Sequence, residues 1–220
     1  VVFSNADITI PNLDNGTPSG TLTTMTSDDN RTWTGTFTPA TNAEDDNNSL
    51  SLGTSYTDLA GNIGPDNQTA NFEIDTLAPT VSRVAITGAE GIQNSFVNAG
   101  DNVSVTATFS ETVIVDNSSG NPTIILAVGI DNETATYASG SGSTDLVFRY
   151  TIQAGDNDNN GISIRANALA LPNSSTIRDA ALNNAILTHD AVPDNSSVKV
   201  DTTPPTVSIV AVSYTHLRAH

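Results

Sequence analysis

The sequence predicts an all-β fold of β-sandwiches in tandem, on three observations: period-2 alternation, a near absence of helix signals, and an internal repeat. Alternation is clearest in Asp7-Ile8-Thr9-Ile10, Thr32-Trp33-Thr34-Gly35-Thr36-Phe37, Val103-Ser104-Val105-Thr106-Ala107-Thr108-Phe109 and Leu146-Val147-Phe148-Arg149-Tyr150. Each places β-formers on one face and small polar residues on the other, the pattern of a half-buried strand. Turn clusters of Asn, Asp, Ser and Gly separate such stretches at short intervals, the spacing of a sandwich or barrel. Asn167-Ala168-Leu169-Ala170-Leu171 could form one helical turn, and Pro172 would end it.

The repeat sets the organisation. Ile74-Asp75-Thr76-Leu77-Ala78-Pro79-Thr80-Val81-Ser82 recurs as Val200-Asp201-Thr202-Thr203-Pro204-Pro205-Thr206-Val207-Ser208. Asp46-Asn47-Asn48-Ser49-Leu50-Ser51-Leu52 recurs as Asp158-Asn159-Asn160-Gly161-Ile162-Ser163-Ile164, and Asp58-Leu59-Ala60-Gly61-Asn62 as Asp179-Ala180-Ala181-Leu182-Asn183. The three pairs keep their order at offsets of 126, 112 and 121 residues, which loop insertions in a shared fold produce. The Asp-Thr-x-x-Pro-Thr-Val strings read as proline-stiffened joints, each followed by the opening strand of the next module. Residues 1–76 then form the C-terminal part of a module, 77–202 a complete one, and 203–211 the start of a third. The first segment wants a counterpart of Thr80 to Phe109 and is expected to expose sheet edges and part of its core. Val1 falls in mid-pattern, so the chain reads as cut from a longer protein, and residues 212–220 break with the preceding style like a translated sequencing adapter.

Composition excludes several classes. With 24 acidic against 7 basic residues the formal charge is −17, which opposes nucleic acid and anionic lipid and favours cations. Cysteine is absent, which removes thiol nucleophiles, Cys-ligated zinc and iron–sulfur clusters. No apolar run approaches a membrane span, so no membrane insertion is expected in this segment.

The joint string, Phe109-Ser110-Glu111-Thr112-Val113 and the Asp-x-Ala-Gly-Asn string near the module end together resemble the tandem bacterial Ig-like repeats of large secreted and surface adhesin-type proteins. The resemblance covers residues 1–211 and implies immunoglobulin-like (Greek-key) β-sandwiches. It further implies a non-catalytic extracellular spacer or stalk on a bacterial cell surface, often stiffened by calcium, whose partners are neighbouring modules and divalent cations. Leu182 departs from the pattern where the family carries Gly, which puts that tight turn in question.

Two sets of residues could hold calcium. Asp156, Asp158 and Asn160 offer oxygen ligands at alternate positions before Gly161, whose flexibility allows a sharp turn. The twelfth position of an EF-hand loop would need Glu and holds Asn167. The first segment carries Glu44-Asp45-Asp46-Asn47-Asn48 at the corresponding place, with Asp46 the candidate ligand there. Both loops read equally as Asx turns whose side chains bond their own backbone. The second set sits at the joints: Asp75 and Asp201 just before the prolines, Asp58 and Asp179 in turns before the last strand, and Glu111 if its loop lies at that end. Solvated linker residues and ordinary β-turns are the alternative reading of these carboxylates.

Catalysis finds no support. Outside the last nine residues His189 is the only histidine, and neither Gly-x-Ser-x-Gly nor Ser-x-x-Lys occurs. Trp33 and Phe37 are expected in the sandwich core, with Leu146 and Tyr150 as their equivalents. Nine Asn-x-Ser/Thr sequons follow from composition alone. A module that itself grips carbohydrate or protein, or an accessory segment of a secreted hydrolase, are the rival functions; exposed aromatics clustered on one face would favour the first.

Overall fold

The computed structural model describes residues 1–211; the adapter-like stretch 212–220 lies outside the described residues. The fold is all-β as the alternation predicts, with two three-residue 3-10 turns, Asn5–Asp7 and Pro172–Ser174, as its helical segments among the described residues. Contacts divide the chain into two units. One gathers Val1–Thr80, Ser110–Val115 and Thr176–Ile186; the other gathers Val81–Phe109, Asp116–Ser175 and the chain from Leu187.

The second unit is built on one large antiparallel sheet. Its strands lie in the order Ser163–Ala170, Thr123–Val128, Asp131–Ser139, Ser143–Thr151 and Asn102–Asp116, with Val81–Glu90 also paired to the last. A smaller sheet joins Asn157–Asp158, Lys199–Asp201 and Phe96–Val97. Alternation on Asn102–Asp116 sends Val103, Val105, Ala107 and Phe109 inward, all buried, while Ser104 and Thr106 lie between them. Leu146, Phe148 and Tyr150 are buried from the neighbouring Ser143–Thr151 strand, and Ile124, Leu126, Ile162 and Ile164 complete the core. Gly129 turns the chain between Thr123–Val128 and Asp131–Ser139 at φ +62°, where an added Cβ would clash with the carbonyl of Asn157.

The Asn167 region differs from the helical turn its sequence allows. It is strand, because Leu169 pairs with Ile124 and is buried there, and sheet pairing outweighs a weak local preference. Asn167 adopts φ +58° at the irregularity, and His189 clips it. The His189 backbone N–H donates to Asn167 Oδ1 (3.0 Å), and His189 Nε2 accepts from the Ala168 N–H (2.9 Å). With Nε2 accepting, the ring proton sits on Nδ1, 2.7 Å from the Asp190 carbonyl. Both nitrogens are spent on structure.

The first unit is made of short strands. Ile8–Thr9, Ser51–Leu52 and Asn67–Gln68 form one sheet, Gly20–Leu22 pairs with Phe37–Pro39, and Glu44–Asn48 pairs with Phe72–Asp75. Its buried apolar residues include Ala43, Ile74, Val113 and Ile177. Trp33 is half-buried rather than enclosed, packed on Phe3 at 5.2 Å, and Phe37 packs on Phe72 at 5.7 Å.

The recurring strings make matching hydrogen bonds. The Asp58 and Asp179 turns are built alike: each N–H bonds the carbonyl four residues on, Asn62 or Asn183, and each carboxylate accepts that Asn's N–H and side-chain amide. The two Asp-Thr-x-x-Pro strings match too, with the N–H of Leu77 on Asp75 and that of Thr203 on Asp201. Register places Asp45 opposite Ile74 as it places Asp158 opposite Val200, so Asp45 is the counterpart of Asp158 and Asp46 that of Asn159. The irregularity between Asp45 and Asn48 absorbs the extra residue before Leu50.

Leu182 fills the position where Gly61 takes φ +87°, and it is held at φ +73°. Its side chain is mostly solvent-exposed, so it gains little from burial in return for left-handed strain. Leu182→Gly is expected to stabilise the fold by about 0.5–1 kcal/mol, the relieved strain less the added chain entropy, as a higher midpoint in urea unfolding.

Candidate cation site

Three carboxylates converge in the first unit. Asp75 ends the Phe72–Asp75 strand, opposite Glu44 on the neighbouring strand. Glu111 lies on the extended 110–115 stretch, whose entry is fixed by two bonds with the joint: the Ser110 N–H to the Thr80 carbonyl (2.8 Å) and the Thr80 N–H to Ser110 Oγ (3.0 Å). Asp179 follows the Thr176–Arg178 strand and opens the Asp-x-x-x-Asn turn. One carboxylate oxygen from each lies within 4.8 Å of the others, with Asp179 only 1% exposed and Asp75 and Glu111 half-buried.

Asn183 is the organiser. Its Nδ2 donates to Asp179 Oδ2 (2.8 Å), to the Asp75 carbonyl (3.2 Å) and to Asp75 Oδ1 (3.3 Å), while its backbone N–H reaches Asp179 Oδ1 (2.8 Å). Those donors give oxygens of two of the carboxylates hydrogen-bond partners. Glu111 is left with the burden: its carboxyl is raised above the ordinary range, first by burial and then by repulsion from Asp179, Asp75 and Glu44. Among the described residues the single ion pair, Arg149 to Glu90 at 3.3 Å, is elsewhere, so no side-chain cation balances the three. An all-oxygen set of carboxylates fits a hard divalent cation such as calcium.

The structure thus brings Asp75 and Asp179 together with Glu111 and leaves the other sequence candidates apart. Asp58 is exposed in its turn, where the Asn62 side-chain amide, then the Asn62 N–H, hold it below the usual carboxylate range. Asp201 is exposed and capped by the Thr203 N–H, and exposed Asp46 gives its carbonyl to Asn71. Asp156 is buried, accepting the Tyr150 hydroxyl and the Gln153 N–H, both at 2.8 Å. Asp158 accepts the N–H groups of Gly129, Asn160 and Gly161, at 2.9, 3.1 and 2.8 Å. Asn160 turns outward to Asp194 (2.6 Å). In this loop the oxygens serve the turn. Sequence reasoning missed Asn183 and Glu44: Asn183 could have been found as the closing residue of the repeated Asp-x-x-x-Asn turn, whereas Glu44 joins only through strand register.

Residues 1–74 match the family model described as bacterial Ig-like domain, and the all-β fold accords with that match. No curated protein and no solved structure matches the chain. Among the described residues no helix is long and apolar enough to cross a membrane.

Because the Glu111 carboxyl is raised in the folded state, its proton favours folding at low pH and its charge opposes folding at neutral pH. Without divalent cations, Glu111→Gln is therefore expected to raise the unfolding midpoint at pH 7. The gain should shrink as pH falls toward the ordinary glutamate range, where wild type binds the proton too. A pH series of thermal melts in chelator checks this.

Proposed function

We propose that the chain is a non-catalytic extracellular spacer of bacterial Ig-like modules whose joint is clamped by calcium at Asp75, Glu111 and Asp179. The observation that carries the reading is the convergence itself. One ligand precedes the joint prolines, and the other two come from the repeat that follows, at 110–115 and 176–186. A cation there ties both sides of the joint to one point and cancels repulsion that the protein leaves unbalanced. The absence of any catalytic motif and the spent nitrogens of His189 support a mechanical role. On this reading residues 1–76 are the C-terminal part of one module, 77–202 a complete one and 203–211 the start of a third.

Magnitude places calcium as a stiffener rather than a condition of folding. Extracellular calcium modules bind at about 10⁻⁴–10⁻³ M. At ten times the dissociation constant one site adds about 1.4 kcal/mol, or roughly 3–6 °C in melting temperature for a protein of this size. The carbohydrate-binding alternative is weaker. Phe3, Trp33 and Tyr56 do gather, with ring centroids 5.2 and 5.7 Å apart, but Ile8, Met25 and Leu52 line the same hollow and few polar groups face a sugar.

The test is thermal unfolding of the whole chain with and without millimolar calcium, with magnesium as control. A calcium-specific rise of that size, lost in Asp179→Asn and Glu111→Gln and kept in Asp158→Ala, is the expected result. A melt indifferent to calcium would remove the clamp and leave an unclamped spacer.

A further inference from the structure

Asn-Gly occurs twice in the chain, at Asn15-Gly16 and Asn160-Gly161. In this dipeptide a backbone amide attacks the preceding side chain most readily, because glycine has no Cβ to shield its nitrogen. The two settings differ in what they leave free.

At 160–161 every group is engaged. The N–H groups of Asn160 and Gly161 both donate to Asp158 Oδ1 (3.1 and 2.8 Å), and Asn160 Nδ2 donates to Asp194 Oδ2 (2.6 Å). Gly161 is buried, with the Asn195 carbonyl against the place a Cβ would take. Ile162 follows at once, bonded to the Val198 carbonyl and fully buried. The Gly161 nitrogen cannot swing toward Asn160 Cγ without undoing both turn and core.

At 15–16 the turn is open to solvent. Asn15, Gly16 and Thr17 are exposed between the bridged residues Asn12 and Pro18, and the Leu13 N–H closes the turn on the Thr17 carbonyl (2.8 Å). Gly16 stands at φ +80° with no atom within 4 Å of the place a Cβ would take. The Asn15 amide is held by its oxygen alone: Oδ1 accepts the Thr17 N–H (2.9 Å) and the Thr17 hydroxyl (2.6 Å), and among the described residues Nδ2 has no partner. One bond opposes reaction, from the Gly16 N–H to the Leu13 carbonyl (2.8 Å), and a bond of that kind in an exposed turn opens locally at small cost. All of these contacts lie within residues 12–18, so the turn itself makes the setting.

We propose that Asn15 is a site of spontaneous deamidation. The Gly16 nitrogen, its proton lost to hydroxide, attacks Asn15 Cγ, and the charge developing on Oδ1 falls on the two Thr17 donors. The tetrahedral centre collapses by expelling Nδ2, which takes a proton from water and leaves as ammonia, and a cyclic imide remains between Asn15 and Gly16. Water opens that ring at either carbonyl to give aspartate or isoaspartate, so the net change is amide plus water to acid plus ammonia. Either product adds a negative charge to a chain of formal charge −17, and isoaspartate also lengthens the backbone of the turn.

Peptide mapping by mass spectrometry, on the full chain incubated at neutral and mildly alkaline pH, reads both sites in one sample. Acid and isoaspartate should accumulate at Asn15, faster as pH rises, with Asn160 slower by at least about tenfold. Thr17→Val keeps the N–H and removes the hydroxyl at an exposed position, and should slow Asn15 about fivefold, the loss of one ordinary hydrogen bond to the developing charge. Asn160 converting as fast as Asn15 would overturn the proposal. So would Asn15 remaining amide after a free peptide of residues 11–19 has converted, and a rate indifferent to Thr17→Val would overturn the part assigned to Thr17.

Discussion

The structure depends on the strand alternation of Asn102–Asp116. Through Phe109 its inward residues supply one wall of the second unit's core, and from Ser110 the same strand delivers Glu111 and buried Val113 to the first unit. With no cysteine and few aromatics, a core of this kind rests on β-branched and aliphatic side chains placed by period-2 geometry. A one-residue slip would turn Val103, Val105 and Ala107 to the outer face and move Glu111 off the carboxylate cluster together. Packing and candidate site are therefore set by the same register.

Strand register also sets an electrostatic problem at the end of the Phe72–Asp75 strand. Like charges on directly opposite strand positions are unfavourable, and Glu44 stands across from Asp75. Asn183 meets part of the problem by donating to Asp75 and Asp179 at once, which an amide can do and a carboxylate cannot. Glu111 is pushed toward its neutral form, first by burial and then by repulsion from Asp179, Asp75 and Glu44.

Much of this was legible in the sequence because it follows from short-range rules. Alternation at Val103–Phe109 and Leu146–Tyr150 gave the core faces, and the repeated Asp-Thr-x-x-Pro and Asp-x-x-x-Asn strings marked the joint and turn that carry Asp75 and Asp179. What was not legible depended on register or on long-range pairing. The Asp156–Gly161 loop looks like a cation loop and an Asx turn by the same residues, and only the positions of the Gly129, Gln153 and Gly161 N–H groups show where its oxygens point. The strand at Ser163–Ala170 was hidden for a similar reason: Ala and Leu at 168–171 suit a helix locally, and pairing with Thr123–Val128 overrides them. A gap-free comparison of the repeats equates Asp46 with Asp158, and one extra residue at a strand irregularity shifts the match to Asp45.

The two copies of the Asp-x-x-x-Asn turn show what a repeat fixes and what it leaves free. Both keep the Asp and Asn, because those side chains close the turn. Only one keeps the glycine, yet Leu182 enters the same left-handed region as Gly61 and the hydrogen bonds survive. The side-chain bonds of the turn thus hold the backbone against a strain worth about 1–2 kcal/mol. The first copy's carboxylate stays in solvent, bonded within its own turn, whereas the second is buried among other carboxylates. Identical local chemistry therefore gives an ordinary turn in one setting and a member of a carboxylate cluster in the other. The difference lies in what register brings alongside, not in the motif.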